Sequence, residues 1–227
     1  MTRIVAGELG GRSIAVPGKG TRPTSDRVRE AIFSRLEHLG VLDGARVLDL
    51  YAGSGALGLE AASRGAVSVT LVDSARPAAD VARRNVAGLG LTTVRVVAET
   101  AERFAAALAG AGSRPGSGAV SRAASGTTAA LDLVFLDPPY DLDEDALVTV
   151  LTHLAAPGVL ADGAVVVVER SIRTPEPAWP AGLAAFARKD YGDTAVYYAE
   201  PSATEPSATE PSAAEPSDAD PSDSVDA

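Results

Sequence analysis

Five short runs rich in valine and leucine, separated from one another by helical stretches, narrow this chain to one class of architectures. The runs are RVLDLYA (46–52), SVTLVD (68–73), TVRVVA (93–98), LDLVFLD (131–137) and GAVVVVER (163–170). Near-continuous apolar strands of this kind suit a parallel sheet buried on both faces. Helical patterns occupy 57–64, 76–90, 101–109 and 143–154. A last pair, LAAFARKDYG (183–192) and TAVYYA (194–199), reads as two strands joined by a tight Gly-Asp turn. Strand and helix in alternation predict a doubly wound α/β sheet with right-handed crossovers and helices on both faces. In such sheets ligands gather at the carboxyl ends of the strands.

Composition divides the chain into one domain and its appendages. The domain spans 1–199, with a basic N-terminal extension and helix over 1–45 and a flexible insertion over 109–130, AGAGSRPGSGAVSRAASGTTAA. Residues 200–227 repeat Pro, Ser, Ala and Glu without a large apolar side chain, and predict a disordered acidic tail. The net charge of −10 is concentrated there: from Glu200 onward stand eight acids and no base. Without them the body holds 22 acids against 20 bases, while residues 1–35 hold seven bases and three acids. The basic end suits phosphate. There is no cysteine, which excludes disulfides, thiolate metal sites and a cysteine nucleophile. MTRIVAGELGGRSIAV lacks an apolar signal core, and the longest apolar run, AVVVV (164–168), is too short to span a bilayer. The expectation is a soluble cytoplasmic protein.

The first strand ends in LDLYAGSGALG, where Gly53, Gly55 and Gly58 have G-x-G-x-x-G spacing between a strand and a helix. Glycines permit the tight turn and let a ligand approach the backbone, and the helix start offers free N–H groups. Asp73 ends the second strand, where a carboxylate can accept from two ribose hydroxyls. A nicotinamide dinucleotide and S-adenosylmethionine both answer this description. Asp49, inside the strand end, favours the second, because it can take an ammonium group and would repel a pyrophosphate.

The fourth strand ends in DPPY, Asp137 to Tyr140. An exocyclic amine of a nucleobase is a poor nucleophile, since its lone pair is delocalised into the ring. A site that methylates it must accept both amino hydrogens and aim the nitrogen at the methyl group. Asp137 supplies one acceptor. Pro138 supplies a backbone carbonyl, which Pro139 restrains in direction. Tyr140 offers a flat face on which an extruded base can stack. The chemistry is an in-line methyl transfer accelerated mainly by positioning.

DLYAGSGALG and DPPY together resemble the S-adenosylmethionine-dependent amino-methyltransferases. RIVAGELGGR followed by TRPTSDRVREAIFSRL, with the closing YGDTAVYY, resembles the RsmD family, bacterial small-subunit rRNA guanine-N2 methyltransferases. The likeness runs from Arg3 to about Tyr198, outside the insertion and the tail. It implies a Rossmann-like methyltransferase sheet of seven strands whose last hairpin is antiparallel. It also implies N2 methylation of one guanine in 16S rRNA, in an assembled or partly assembled 30S particle. The expected enzyme uses S-adenosylmethionine and neither metal nor membrane, and a monomer is expected although the sequence does not reveal the oligomeric state. Carried over by position, Asp49, Tyr51, Ala52, Gly53, Ser54 and Gly55 form the cofactor loop, and Asp73 takes the ribose. Glu99 or Thr100 stands at the adenine end, where relatives offer Asp or Asn. Asp137, Pro138, Pro139 and Tyr140 are the catalytic tetrapeptide. TRPTSDRVRE corresponds to the element that closes over the methionine end.

Thr24 or Ser25 can cap a helix starting at Asp26, and Arg22, Arg27 and Arg29 lie at or near its positive end. Cations there oppose the helix dipole, so anion or RNA binding explains them better. With Arg3 and Arg12 they make up the expected RNA-binding set. His38 and His153 read as ordinary helix residues, and Trp179 as a packing plug. Three rivals remain: N6-adenine or N4-cytosine methylation of DNA, an NAD-binding oxidoreductase, and a non-catalytic RNA-binding module. Cytosine C5 methylation is excluded because it needs a cysteine nucleophile.

Overall fold

A computed structural model describes residues 2–17, 25–112 and 130–202. The parallel strands are β3 (Arg46–Leu50), β4 (Ser68–Val72), β5 (Val94–Val97), β6 (Leu131–Leu136) and β7 (Leu160–Ser171). They alternate with α2 (Ala56–Ser63), α3 (Arg76–Leu89), α4 (Ala101–Gly112) and α5 (Glu144–Leu154). With β8 (Leu183–Tyr191) and β9 (Thr194–Pro201) they form a seven-stranded sheet in the order β5-β4-β3-β6-β7-β9-β8. β9 runs antiparallel to both β7 and β8. The expected architecture is the observed one.

Strand order reverses between β3 and β6, which pair in parallel with Asp49 opposite Phe135 and Leu50 opposite Leu136. A doubly wound sheet opens a ligand crevice at this point. Side chains alternate across each strand, so the sheet has two cores. Val47, Leu71, Leu133, Phe135 and Val167 join α1 (Asp26–Leu39) and α2 on one face. Leu48, Leu50, Val134 and Leu136 join α4 and α5 on the other.

The edges of the expected insertion and tail differ from expectation, and β7 begins at Leu160 rather than 163. α4 continues to Gly112, because the alanines of 105–109 favour helix and the glycines beyond do not end it at once. The first residues of the expected insertion are therefore helical, and 113–129 lie outside the described residues. β9 continues to Pro201, with Glu200 opposite Ala184, so the first residues of the expected tail belong to the sheet. Residues 203–227 lie outside the described residues. Among the described residues, no helix is long and apolar enough to cross a membrane.

The N-terminal extension is folded, which its composition did not foretell. β1 (Thr2–Arg3) pairs with β2 (Ser13–Ile14), and the chain between them lies on α2. The buried Glu60 carboxylate accepts from the Val5 and Ala6 N–H groups at 2.7 and 3.0 Å. The Ser63 hydroxyl accepts from the Leu9 N–H at 2.9 Å and donates to the Ala6 carbonyl at 2.6 Å. Gly7 has φ 80°, and a Cβ there would lie 1.9 Å from the Ser63 carbonyl oxygen, so only glycine lets the hairpin approach this closely.

Arg29 departs from its expected role. Its side chain is wholly buried; Nη2 donates to Asp26 at 2.9 Å and to the Arg3 carbonyl, and Nε stands 3.6 Å from Glu60. A guanidinium enclosed in this way cannot meet phosphate, so it ties α1 to the hairpin and to α2. Arg3, Arg12 and Arg27 are exposed, while Arg22 lies outside the described residues. Ser25, rather than Thr24, is the observed cap of α1, its hydroxyl accepting from the Val28 N–H at 3.2 Å.

Candidate active site

The glycine loop leaves β3 through Tyr51, the one non-glycine residue with positive φ (61°) among those described. The loop is pinned peptide by peptide. The Ala52 N–H donates to the Val72 carbonyl at 3.0 Å, and the Gly55 N–H to the Ala52 carbonyl at 2.7 Å. The Gly53 N–H donates to Asp73 Oδ2 at 2.8 Å. A Cβ on Gly53 would meet nothing within 4 Å, so this part of the loop is open to an approaching molecule. Gly58 is glycine for the opposite reason. A Cβ there would fall 2.3 Å from Leu71 Cδ2, so α2 could not rest on β4.

Three carboxylates line the strand ends on one face of the sheet. Asp49 shares its face with Leu71 and Phe135 across the ladder, and alternation places Asp73 and Asp137 on that same face. Asp49 is 1 % exposed. Its Oδ2 accepts from the Gly58 N–H at 2.9 Å, while Oδ1 is buried without a hydrogen bond. Burial pushes its carboxyl up to about 8, with the charges of Asp137 and Asp73 adding to the rise and the Gly58 N–H opposing it. Asp137 is half-buried at the tip of β6 and close enough to act on Asp49. Its partial exposure sets it apart from the wholly buried Leu136 before it. Pro138 beside it is buried, Pro139 is exposed, and the Pro139 carbonyl takes the Leu142 N–H at 3.0 Å to close a turn. That turn leaves the Tyr140 ring 64 % exposed, which a packing role would not leave.

Other expected residues carry local duties as well. Asp73 holds the loop through Gly53 and caps its own turn by accepting from the Ala75 N–H at 2.8 Å. A carboxylate has about four lone-pair sites, so acceptor capacity remains for hydroxyls. Tyr51 reaches Glu102 of α4 with its hydroxyl, 3.5 Å away, and burial first, then Glu102, raises that hydroxyl's pKa. The Thr100 hydroxyl accepts from the Arg103 N–H at the start of α4, and Glu99 pairs with Arg103 at 3.2 Å. Both candidates for the adenine end, which follow β5, thus have a partner in Arg103 of α4. Ser54 and Ala52 lie within the pinned loop. An open groove of about 440 Å³ at the amino ends of the strands, lined by Asp43, Arg46, Asp132 and Asp162, contains none of these residues.

Three residues of this region escaped the sequence. Glu60 and Asn85 are polar residues inside the apolar faces of α2 and α3, and that placement was the available signal. Glu169, 4 % exposed near the end of β7, follows Val168, which pairs with Leu136 just before Asp137.

Residues 2–200 match the family model described as "Conserved hypothetical protein 95". The chain is 36 % identical over 194 residues to "Ribosomal RNA small subunit methyltransferase D" of Escherichia coli (strain K12), covering 85 % of this chain and 86 % of that protein. The chain belongs to the RsmD methyltransferase family. The solved structure of a hypothetical protein from Thermus thermophilus superposes with TM-score 0.69 at 30 % identity, covering 88 % of this chain and 99 % of the other. An S-adenosylmethionine-dependent methyltransferase from Agrobacterium tumefaciens shares the fold at TM-score 0.55 and 19 % identity, covering 77 % of this chain and 62 % of that one. The RsmD match includes the N-terminal hairpin and the final β8–β9 pair, so both are parts of the family's domain rather than additions to it.

Proposed function

We propose that this protein transfers a methyl group from S-adenosylmethionine to the exocyclic N2 of a guanine in 16S rRNA, within an assembled or partly assembled 30S particle. The observation that carries the proposal is the placing of Asp49 and Asp137 on one face of adjacent strands, beside an open glycine loop. S-adenosylmethionine has an ammonium and a sulfonium group. Three neighbouring carboxylates suit such a cation and repel a pyrophosphate, which favours it over a dinucleotide. The buried Oδ1 of Asp49 is an unfilled acceptor for the ammonium, and Asp73 has capacity left for the ribose. When bound, the cofactor supplies an electrophilic methyl carbon.

The chain's own residues then prepare the amine. Asp137 and the Pro138 carbonyl accept its two hydrogens, which orients the nitrogen lone pair along the line of displacement. Tyr140, exposed beside them, stacks on the extruded base. The methyl group would pass to the amine from the bound cofactor's sulfonium, and the proton that the amine gives up would leave toward Asp137 or water. Arg3, Arg12 and Arg27 offer exposed cations to the rRNA backbone. Mass spectrometry of 16S rRNA nucleosides tests the assignment. Deleting the gene should remove N2-methylguanosine at one position, restored by the wild-type gene and not by Asp137→Ala. An unchanged nucleoside profile would overturn it.

Asp49 gives the cofactor step a pH dependence. Its carboxyl, raised to about 8, is mostly protonated at pH 6 in the free protein, whereas the ammonium-bound form must be ionised. Binding therefore releases a proton below pH 8, and affinity should rise toward a limit of about tenfold per pH unit between pH 6 and 7.5. Calorimetry in buffers of different ionisation enthalpy measures this proton directly. Asp49→Asn should weaken binding and flatten the slope.

A further inference from the structure

Asn85 stands in the apolar face of α3 beside Val81 and Ala82, 6 % exposed. Nδ2 donates to the Ser54 carbonyl of the glycine loop and to the Ala15 carbonyl, each at 2.9 Å, and Oδ1 accepts from the Ala15 N–H at 2.8 Å. Ala15 follows β2 directly and is held at both its N–H and its C=O, as a neighbouring strand would hold it. One buried amide thus clasps the N-terminal segment and the glycine loop together, using both its donor hydrogens and its acceptor.

We propose that Asn85 is a positioning residue for the cofactor, and that through it the N-terminal segment becomes part of the cofactor site as well as an RNA-facing surface. This rests on the assignment of S-adenosylmethionine to the glycine loop. The Ser54 carbonyl sits between Gly53 and Gly55, whose N–H groups are already tied to Asp73 and Ala52. With Ser54 also tied, the loop holds its shape before a ligand arrives, and ordering it costs little on binding. Without Asn85 the Ser54–Gly55 peptide keeps only the Gly55 N–H bond to Ala52, and the glycines on either side of Ser54 let it turn more easily. Asp137 and the proline carbonyl are untouched by that change, so the loss should fall on cofactor affinity and spare the chemical step.

The test uses the full-length protein, with S-adenosylmethionine binding by calorimetry and turnover on small subunits lacking the modification. Asn85→Ala should raise Kd and KM for S-adenosylmethionine by about tenfold, the worth of a buried hydrogen bond, with kcat at saturation within about twofold of wild type. Ala15→Pro, which removes the N–H that Asn85 accepts and also fixes the backbone after β2, should raise Kd in the same direction. Ser63→Ala removes two other ties of the N-terminal segment, to Leu9 and Ala6, away from the loop's hydrogen bonds. It should lower Tm while leaving cofactor affinity within about twofold of wild type. An unchanged Kd in Asn85→Ala, or an equal rise in Ser63→Ala, would overturn the role of Asn85 while leaving the cofactor assignment intact. Wild-type protein that failed to bind S-adenosylmethionine would remove that assignment, and the positioning role with it.

Discussion

Asp137→Ala should lower kcat by about 10²-fold or more and leave S-adenosylmethionine affinity within a few-fold of wild type. The asymmetry follows from where the carboxylate sits. It stands at the tip of β6, half-buried, one residue beyond Leu136, whose partner across the ladder is Leu50 of β3. On the proposed mechanism an alanine there removes one of two acceptors that align the amine and leaves the glycine loop, Asp73 and Gly58 as they were. Two opposed effects act on the cofactor. Loss of the Asp137 charge removes part of the push that keeps the Asp49 carboxyl protonated, which favours ammonium binding. It also takes one negative charge away from the sulfonium. Single-turnover assays at saturating cofactor separate these effects from chemistry. Asp137→Asn keeps an acceptor of the same shape and should lose less, about tenfold. A variant that turned over normally while Tyr140→Ala was inactive would shift the grip on the base from the carboxylate to the ring.

The cluster of carboxylates at the sheet edge was legible in the sequence because its residues lie at or near strand ends, and strand ends are visible as the places where apolar runs stop. Asp73 and Asp137 each close such a run, Asp49 interrupts one next to its end, and the glycines between strand and helix mark the crossing point. What escaped were residues whose roles depend on a long-range partner. Glu60 reaches Val5 and Ala6 across 55 and 54 residues, and Asn85 reaches Ala15 across 70. Nothing local announces such a pairing except a polar residue where the helix pattern calls for an apolar one. Arg29 misleads for the same cause. At the start of a helix an arginine looks exposed until the hairpin that covers it is known, and the short β1 and β2 strands have two residues each. The boundary differences at α4 and β9 are of another kind, since alanine-rich and Pro-Ser-rich stretches carry little sign of where regular structure ends.

The same burial of Arg29 makes Glu60 the residue whose loss should cost most stability. The Glu60 carboxylate is fully enclosed and serves four groups: the Val5 and Ala6 N–H groups, Arg64 Nε at 2.7 Å and Arg29 Nε at 3.6 Å. Arg64 has a second partner in Glu37 at 2.7 Å, so it keeps a counter-charge when Glu60 is removed. Arg29 is worse placed. Its Nε and Nη1 make no hydrogen bond among the described residues, and its remaining ion partner, Asp26, is about half exposed at 48 %. Glu60→Ala therefore leaves a guanidinium in the core with a weak, solvent-screened counter-ion and orphans two backbone donors of the hairpin. Breaking a buried pair in this way costs about 3–5 kcal/mol. For a domain of this size that corresponds to a Tm lower by roughly 10 °C. Glu60→Gln keeps the shape and one acceptor oxygen, and should recover part of the loss. Arg29→Met in the Glu60→Ala background should recover more, because it takes away the uncompensated charge itself. Calorimetric unfolding of the four proteins measures this, and a double variant no more stable than Glu60→Ala would mean that the hairpin's hydrogen bonds, rather than the buried charge, set the cost.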